Sequence, residues 1–366
     1  MTTTRKVTLS LLILIAIVAG WLGRSLWVEA GRAPRGERLE RIKRSTHWRD
    51  GQFVNEELTP QFTGDKGMWQ VLYEFLFVKT AGLVPDADIP AVKTDLRALS
   101  RHRDVVVWLG HSSVFIESGG VRYLFDPVLT TGLPVSLFMR PFKGAAVFTP
   151  DDIPDVDYLI ITHDHWDHLD YKTVMALRER VGRVVCGLGI GEHFEYWGYD
   201  AAKIHEMEWG DSLAVNAGTT LHCLPSRHFS GRLTKRNQSL WASYLIDGPQ
   251  RVFVSGDGGY DARFRRIGER FGHIDLAILE NGQYNADWRY IHTLPSQLPR
   301  EIEELRAARV LTYHNSKYAL ARHPWREPLD SIAAAATIGR PWQRLTPRIG
   351  DPVSLTDTTQ SFPRWW

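Results

Sequence analysis

Residues 158–170 read Tyr158-Leu159-Ile160-Ile161-Thr162-His163-Asp164-His165-Trp166-Asp167-His168-Leu169-Asp170. The opening residues are apolar and suit a buried strand, expected over Asp157 to Thr162. The rest place three histidines and three aspartates within the positions His163 to Asp170. Imidazole suits zinc and carboxylate completes such sites, so H-x-H-x-D-H is a specific metal-ligand spacing. A loop leaving the C-terminal end of a buried strand aims several short side chains at one point, which is where sites in open α/β sheets sit. An ordinary solvated loop has no need of this density of ligands.

Other donors stand at the ends of other apolar runs. His228 follows Leu221 to Leu224, in Pro225-Ser226-Arg227-His228. Asp257 follows Arg251 to Ser255, in Gly256-Asp257-Gly258-Gly259-Tyr260, where glycine permits sharp turns and close approach. His314 follows Val310 to Tyr313. Each alone is weak, because a lone histidine is more often a satisfied structural residue. Together they recur at one place, the end of an apolar strand. His111, beyond the run Val105 to Leu109, reads either as packing within the sheet or as hydrogen-bonding near the site. His102, His193, His205, His222, His273 and His323 have no ligand context and read as surface or packing residues.

With 366 residues, 43% hydrophobic and 23% charged, the chain suits one large folded domain or two ordinary ones. Two cysteines cannot build a disulfide framework or a cysteine-rich zinc site, so any metal must be held by nitrogen and oxygen. A net charge of +2, with Arg32 to Arg44 as the dense basic stretch, argues against a nucleic-acid partner. The 14 tryptophans suit either a core or an interfacial surface. Hairpins are expected first: Ser113 to Glu117 joins Val121 to Phe125 across Ser118-Gly119-Gly120, and Trp241 to Ile246 joins Arg251 to Ser255. Strands at Arg183 to Cys186, Leu276 to Leu279 and Val310 to Tyr313 then alternate with helices. These helices are expected at Tyr171 to Arg180, Gly191 to Trp197, Pro295 to Ala307 and Pro328 to Ala336. The pattern repeats, which predicts two mixed sheets between helices. Trp69 to Lys79 reads as a helix packing on the main body, and Leu83 to Pro90 as a linker.

These residues together resemble the metallo-β-lactamase superfamily, and within it the branch of N-acylphosphatidylethanolamine-hydrolysing phospholipase D. The matching segments run from about Val105 to about Tyr318. They include Trp108-Leu109-Gly110-His111, Asp126-Pro127, the H-x-H-x-D-H loop, Ser226-Arg227-His228, Gly256-Asp257-Gly258, Phe271-Gly272-His273-Ile274-Asp275-Leu276, Arg289-Tyr290-Ile291-His292 and the strand ending at His314. The resemblance implies an α/β fold of αββα sandwich type and two zinc ions. It implies that His163, His165 and His228 hold one zinc, that Asp167, His168 and His314 hold the other, and that Asp257 bridges them. Asp126 and His111 would stand behind the ligands, Asp126 orienting a ligand histidine through its ring N–H. Asp167, Asp257 and His292 would serve catalysis, and Trp166, Tyr284 and His292 would lie on the substrate side.

The implied reaction is phospholipase D-type hydrolysis of a phosphodiester by a hydroxide shared between the zinc ions. It would release an N-acylethanolamine and phosphatidic acid from N-acylphosphatidylethanolamine-like lipids. A lactonase or another small-ester or phosphodiester hydrolase on the same fold is the alternative, as is a scaffold without catalysis. A flavin-linked di-iron oxidoreductase of this fold typically brings a carboxylate where this chain has His165. The chain departs from the phospholipase pattern at Trp166, in place of tyrosine, and at Asn315-Ser316-Lys317, in place of Trp-Gly-Thr. Those positions are expected along the substrate path.

The expected organisation is an apolar anchor or signal segment at 1–23, a mixed extension at 24–100, the hydrolase domain at 101–350 and a tail at 351–366. Val7 to Gly23 is uncharged, follows Arg5 and Lys6, and lies at the short end of a membrane span of about 17–25 residues. A retained single-pass anchor is favoured over a cleaved signal, because Val18-Ala19-Gly20 is a mediocre cleavage site. Basic residues after the run place the body in the cytoplasm by the positive-inside rule. The basic start followed by an apolar core instead resembles an export signal, and an exported body at the membrane surface is the reading adopted.

Overall fold

Along the strand Ser243–Asp247, Tyr244 and Ile246 join one apolar cluster and Leu245 joins another. The alternation continues in Val252–Val254 and Leu276–Glu280, where Phe253, Ala277 and Leu279 belong to the second cluster. Strands apolar on both faces must lie between two layers. The first cluster unites residues of two sheets, from Val107 and Phe115 to Val254 and Leu311. The second fills the space under the helices Arg263–Phe271, Leu298–Glu304 and Glu327–Ala335. On the opposite side, the helices Tyr171–Leu177 and Gly191–Tyr196 bury Val174, Leu177 and Phe194. The result is the expected αββα sandwich. It is seen in a computed structural model that describes residues 3–64, 66–130, 135–137, 139–233, 235–336 and 339–366.

Among the described residues each large sheet has seven strands. The first runs, in spatial order, Pro352–Ser354, Val105–Trp108, Val114–Ser118, Val121–Phe125, Val156–Ile161, Val181–Gly187 and Ile204–Met207. The second runs Ser212–Asn216, Thr219–Leu224, Ser243–Asp247, Val252–Val254, Leu276–Glu280, Arg309–Tyr313 and Gln343–Leu345. In each, the first three pairings are antiparallel and the last three parallel.

Several elements differ from the sequence reading. Residues expected as a tail supply Pro352–Ser354, which pairs antiparallel with Val105–Trp108 and covers that sheet edge. The helix Arg263–Phe271 was not expected, because five of its nine residues are charged and hide its apolar face. The expected helix at Tyr171 to Arg180 tightens into a 3₁₀ turn at Arg178–Arg180, and that at Pro295 to Ala307 shortens to Leu298–Glu304. The helix Met68–Phe77 forms as expected, with Trp69, Tyr73 and Phe77 exposed.

The N-terminal helix is longer than the apolar run alone, spanning Thr3–Glu29. Its stretch Val7–Glu29 is long and apolar enough to cross a membrane, and is an anchor candidate. Its end is docked on the body: Trp197 Nε1 donates to Val28 O (2.8 Å) and Arg232 Nη2 to Glu29 O (2.9 Å). The basic stretch that follows folds back on acids. Arg32 and Arg38 bind Glu192 at 2.6 Å each, and Arg38 also binds Glu195 (2.9 Å) and Glu206 (3.0 Å).

Candidate metal centre

The C-terminal ends of strands from both sheets meet at one place. The strand Val156–Ile161 leads into His163, His165, Asp167 and His168. Thr219–Leu224 leads to His228, Val252–Val254 to Asp257 and Arg309–Tyr313 to His314. The backbone is bent to do this: His111, Asp126 and His314 adopt φ of 53°, 42° and 66°. Such conformations are uncommon outside glycine and persist where the surroundings fix them. His314 N–H donates to His111 O (3.0 Å), locking two of these bends together. Gly256 (φ +59°) sits in so tight a place that an added Cβ would lie 2.7 Å from Ala242 O, just before Ser243–Asp247 of the second sheet, and 3.0 Å from Thr162 Cβ, just after Val156–Ile161 of the first.

Two donor sets result. His163 Nε2 and His228 Nε2 lie 2.9 and 3.2 Å from His165 Nδ1. In the second set, Asp167 Oδ2 lies 3.2 Å from His314 Nε2 and 3.9 Å from His168 Nε2. Asp257 stands between them. Its Oδ2 is 3.8 Å from both His163 Nε2 and His228 Nε2 and 3.2 Å from His314 Nε2, and its Oδ1 is 3.2 Å from His168 Nε2.

The tautomers are set from behind. His228 Nδ1–H donates to Ile291 O (2.8 Å) and His168 Nδ1–H to Asp126 Oδ2 (2.8 Å), which turns both Nε2 atoms inward. Asp126 is itself held by the Thr162 backbone N–H (2.8 Å) and hydroxyl (2.6 Å). His111 Nε2 is 3.0 Å from Asp167 Oδ2, and its ring centroid is 4.2 Å from that of His314.

This set fits metal ions. His168 Nε2 and Asp257 Oδ1 are buried with no hydrogen-bond partner, a costly state for polar atoms unless a further group satisfies them. Inward-facing nitrogens this close cannot all be satisfied by one another, whereas a shared cation satisfies them together. Burial pushes His163 and His228 well below the usual imidazole range, and His165 down to about 4. Neutral imidazole is the form that binds metal. Burial works against ionisation of Asp167 and Asp257, but neighbouring histidines, His168 first, outweigh it and hold both well below the usual carboxylate range.

Glu280 was missed by the sequence reading. It ends the apolar strand Leu276–Glu280, fully buried, accepts from Gly258 N–H (2.5 Å) and hydrogen-bonds to His292 Nδ1. The available signal was a carboxylate closing a wholly apolar run, Leu276 to Leu279. His292 thereby lies beside the cluster, its ring 5.1 Å from that of His228 and 5.6 Å from that of His314.

Other expected residues lie in the walls. Trp166 Nε1 donates to Arg232 O (2.7 Å), with the Arg232 guanidinium 4.0 Å from its ring. Tyr284 is buried, donates to Glu327 (2.9 Å) and stacks on His323, so its hydroxyl is spent away from the cluster. Asn315, Ser316 and Lys317 are buried rather than arrayed along an open path, and Lys317 Nζ donates to Val128 O (2.8 Å). Within the motif loop, Asp164 accepts from Ser239 Oγ (2.8 Å) and Gly231 N–H (2.7 Å), while Asp170 caps the helix Tyr171–Leu177. His193, expected in a packing role, lies 3.2 Å from Asp164 Oδ2 and accepts from Arg32 N–H (3.0 Å).

A family described as the Beta-lactamase superfamily domain matches residues 121–315, more than half of the chain. An uncharacterised protein of Mycobacterium tuberculosis is 35% identical over 325 residues, covering 83% of this chain and 85% of its own length. The N-acyl-phosphatidylethanolamine-hydrolyzing phospholipase D 1 of Caenorhabditis elegans is 30% identical over 241 residues, 62% of this chain and 67% of its own. The crystal structure of CmlA, a diiron β-hydroxylase from Streptomyces venezuelae, shares the fold with a TM-score of 0.54 at 20% identity, over 69% of this chain and 54% of its own. With the matched family, these relatives and the sandwich agreeing, the chain belongs to the beta-lactamase superfamily and is a metal-dependent hydrolase by family and fold.

Proposed function

We propose that this chain is a zinc-dependent phosphodiesterase of phospholipase D type. Its substrate would be an N-acylphosphatidylethanolamine-like lipid, cleaved to an N-acylethanolamine and phosphatidic acid. The observation that carries the reading is the position of Asp257 between a three-imidazole set and a carboxylate-imidazole set, 3.2–3.8 Å from four histidine nitrogens. His163, His165 and His228 would hold one zinc ion; Asp167, His168 and His314 would hold the other; Asp257 would touch both. Ions bound there supply positive charge for a phosphate and lower the pKa of a bound water to about 7.

The residues around them divide the remaining work. Asp126 and the Ile291 carbonyl hold His168 and His228 in the metal-binding tautomer. His111 steadies the Asp167 carboxylate. His292, hydrogen-bonded to Glu280 through Nδ1, would lie on the substrate side, near the phosphate or the leaving group. A thiol nucleophile has no part, since burial pushes both Cys186 and Cys223 up and away from thiolate. The name of the Caenorhabditis elegans relative supports the lipid assignment, and the apolar helix Val7–Glu29 supports a protein held at a membrane.

The test offers the purified, zinc-loaded full chain three substrates: N-acylphosphatidylethanolamine in vesicles, a soluble phosphodiester and a lactone. Release of N-acylethanolamine with phosphatidic acid is expected. Lactone hydrolysis without phosphodiester cleavage would overturn the reading.

A further inference from the structure

We propose that the helix Met68–Phe77 is a second membrane contact, laying its aromatic side on the lipid surface beside the metal cluster. The proposal holds whatever the substrate is, so it stands or falls separately from the reading above.

Trp69, Tyr73 and Phe77 are 79%, 60% and 68% exposed. Four residues apart, they fall on one side of the helix, and the Tyr73 and Phe77 rings meet at 5.2 Å. The helix is fastened by charged side chains. Glu74 accepts from Lys66 (2.9 Å) and Arg322 (2.8 Å), and Lys66 also reaches Asp287 (3.1 Å). The aromatics therefore stand outward on an anchored element. Three large aromatics in a row without cover mark an interaction surface.

Their company identifies the occupant. Among the described residues, the exposed large apolar side chains fall in the N-terminal helix, in the segment 58–84, and at Leu137 and Leu233. The same chain carries the apolar helix Val7–Glu29, whose end is fixed to the body through Arg232. A body docked on the end of this helix, with the helix in a membrane, would sit at the bilayer surface, at the depth that Trp and Tyr favour.

Both attachments bond to segments that lead to the cluster. At the first, Arg232 binds both the end of the N-terminal helix and the backbone of the motif loop, at Asp164 O (2.8 Å). At the second, Thr63 N–H donates to Asp287 O (2.7 Å), just before Ile291 and His292. Charge is not the driving force. Lys66, Glu74, Asp287 and Arg322 pair among themselves, so burial of apolar surface must supply the attraction and zwitterionic lipid should suffice.

Both native cysteines are buried, so one introduced cysteine takes a label selectively. The full chain with Val78→Cys, carrying an environment-sensitive NBD fluorophore, is reconstituted in phosphatidylcholine vesicles. A Thr356→Cys chain, labelled in the same way, serves as the remote control. The expected result is blue-shifted emission at 78, quenched by doxyl lipid, shielded from aqueous iodide and unchanged by added phosphatidylglycerol. The control should show none of this. Replacing Trp69, Tyr73 and Phe77 by serine should abolish the shift at 78 while the melting curve stays that of the parent. Iodide quenching at 78 equal to that at 356 would overturn the proposal, as would a shift that survives the triple replacement.

Discussion

The sheet containing Val105–Trp108 and the sheet containing Ser212–Asn216 follow one plan, three antiparallel pairings and then three parallel ones. They serve the cluster differently. The first delivers His163, His165, Asp167 and His168 from a single loop. The second delivers His228, Asp257, Glu280 and His314 from four separate strand ends. A loop presents its set as one local unit. Dispersed donors depend on the register of every strand between them, because a one-residue slip turns a side chain to the other face. The second half is thus the one in which small backbone errors disassemble the site, while the first half can keep its group intact.

The strongest way to break this contrast is Asp257→Asn, since Asp257 joins the two sets. Turnover should fall by about 10³-fold or more, beyond the ~10²–10³ lost with a single transition-state contact. Bound metal, measured by mass spectrometry, should fall while circular dichroism stays unchanged; full activity in this variant would end the idea of a shared carboxylate. Asp126→Ala tests the first half from behind the loop. Metal affinity should weaken ~10–100-fold, read by competition with a chelator, because His168 loses its hydrogen-bond acceptor.

Gly256→Ala tests the dispersed half directly. Its positive φ and the contact with Ala242 O predict a loss of about 1–2 kcal/mol, measured by urea unfolding. A neutral outcome would show that the Asp257 loop has slack. The smallest effect concerns Lys317, which belongs to the second half but donates to Val128 O of the first. Burial pushes its amine down to about 8. The unfolded chain keeps that proton to higher pH, so raising the pH from about 8 through the ordinary lysine range of about 10.4 should favour the folded state. Compared with Lys317→Met, the parent should gain relative stability between pH 7 and 9.5; parallel curves would show that the amine is not desolvated.

Legibility in the sequence follows the same division. The motif loop can be read because its donors are contiguous and follow an apolar strand. His228, Asp257 and His314 are single residues that gain meaning only from their shared place at strand ends, or from resemblance. Glu280 looked like the polar end of an ordinary strand until its contact with His292 appeared. Short edge strands such as Gln343–Leu345 and Pro352–Ser354 carry too few residues to show a period. The aromatic density of Met68–Phe77 signalled a helix, but which of its residues stay exposed, Trp69, Tyr73 and Phe77, could not be read from it.

The strand Pro352–Ser354 also matters in time. It pairs Val353 with Val106, so the first sheet receives this strand only after every strand of the second sheet has been synthesised. Until then the edge Val105–Trp108 keeps backbone groups unpaired, the kind of edge that recruits foreign strands. Pairings between distant residues are slow to form. Nascent chains of this protein therefore carry an open edge on the first sheet after the motif loop has already been made.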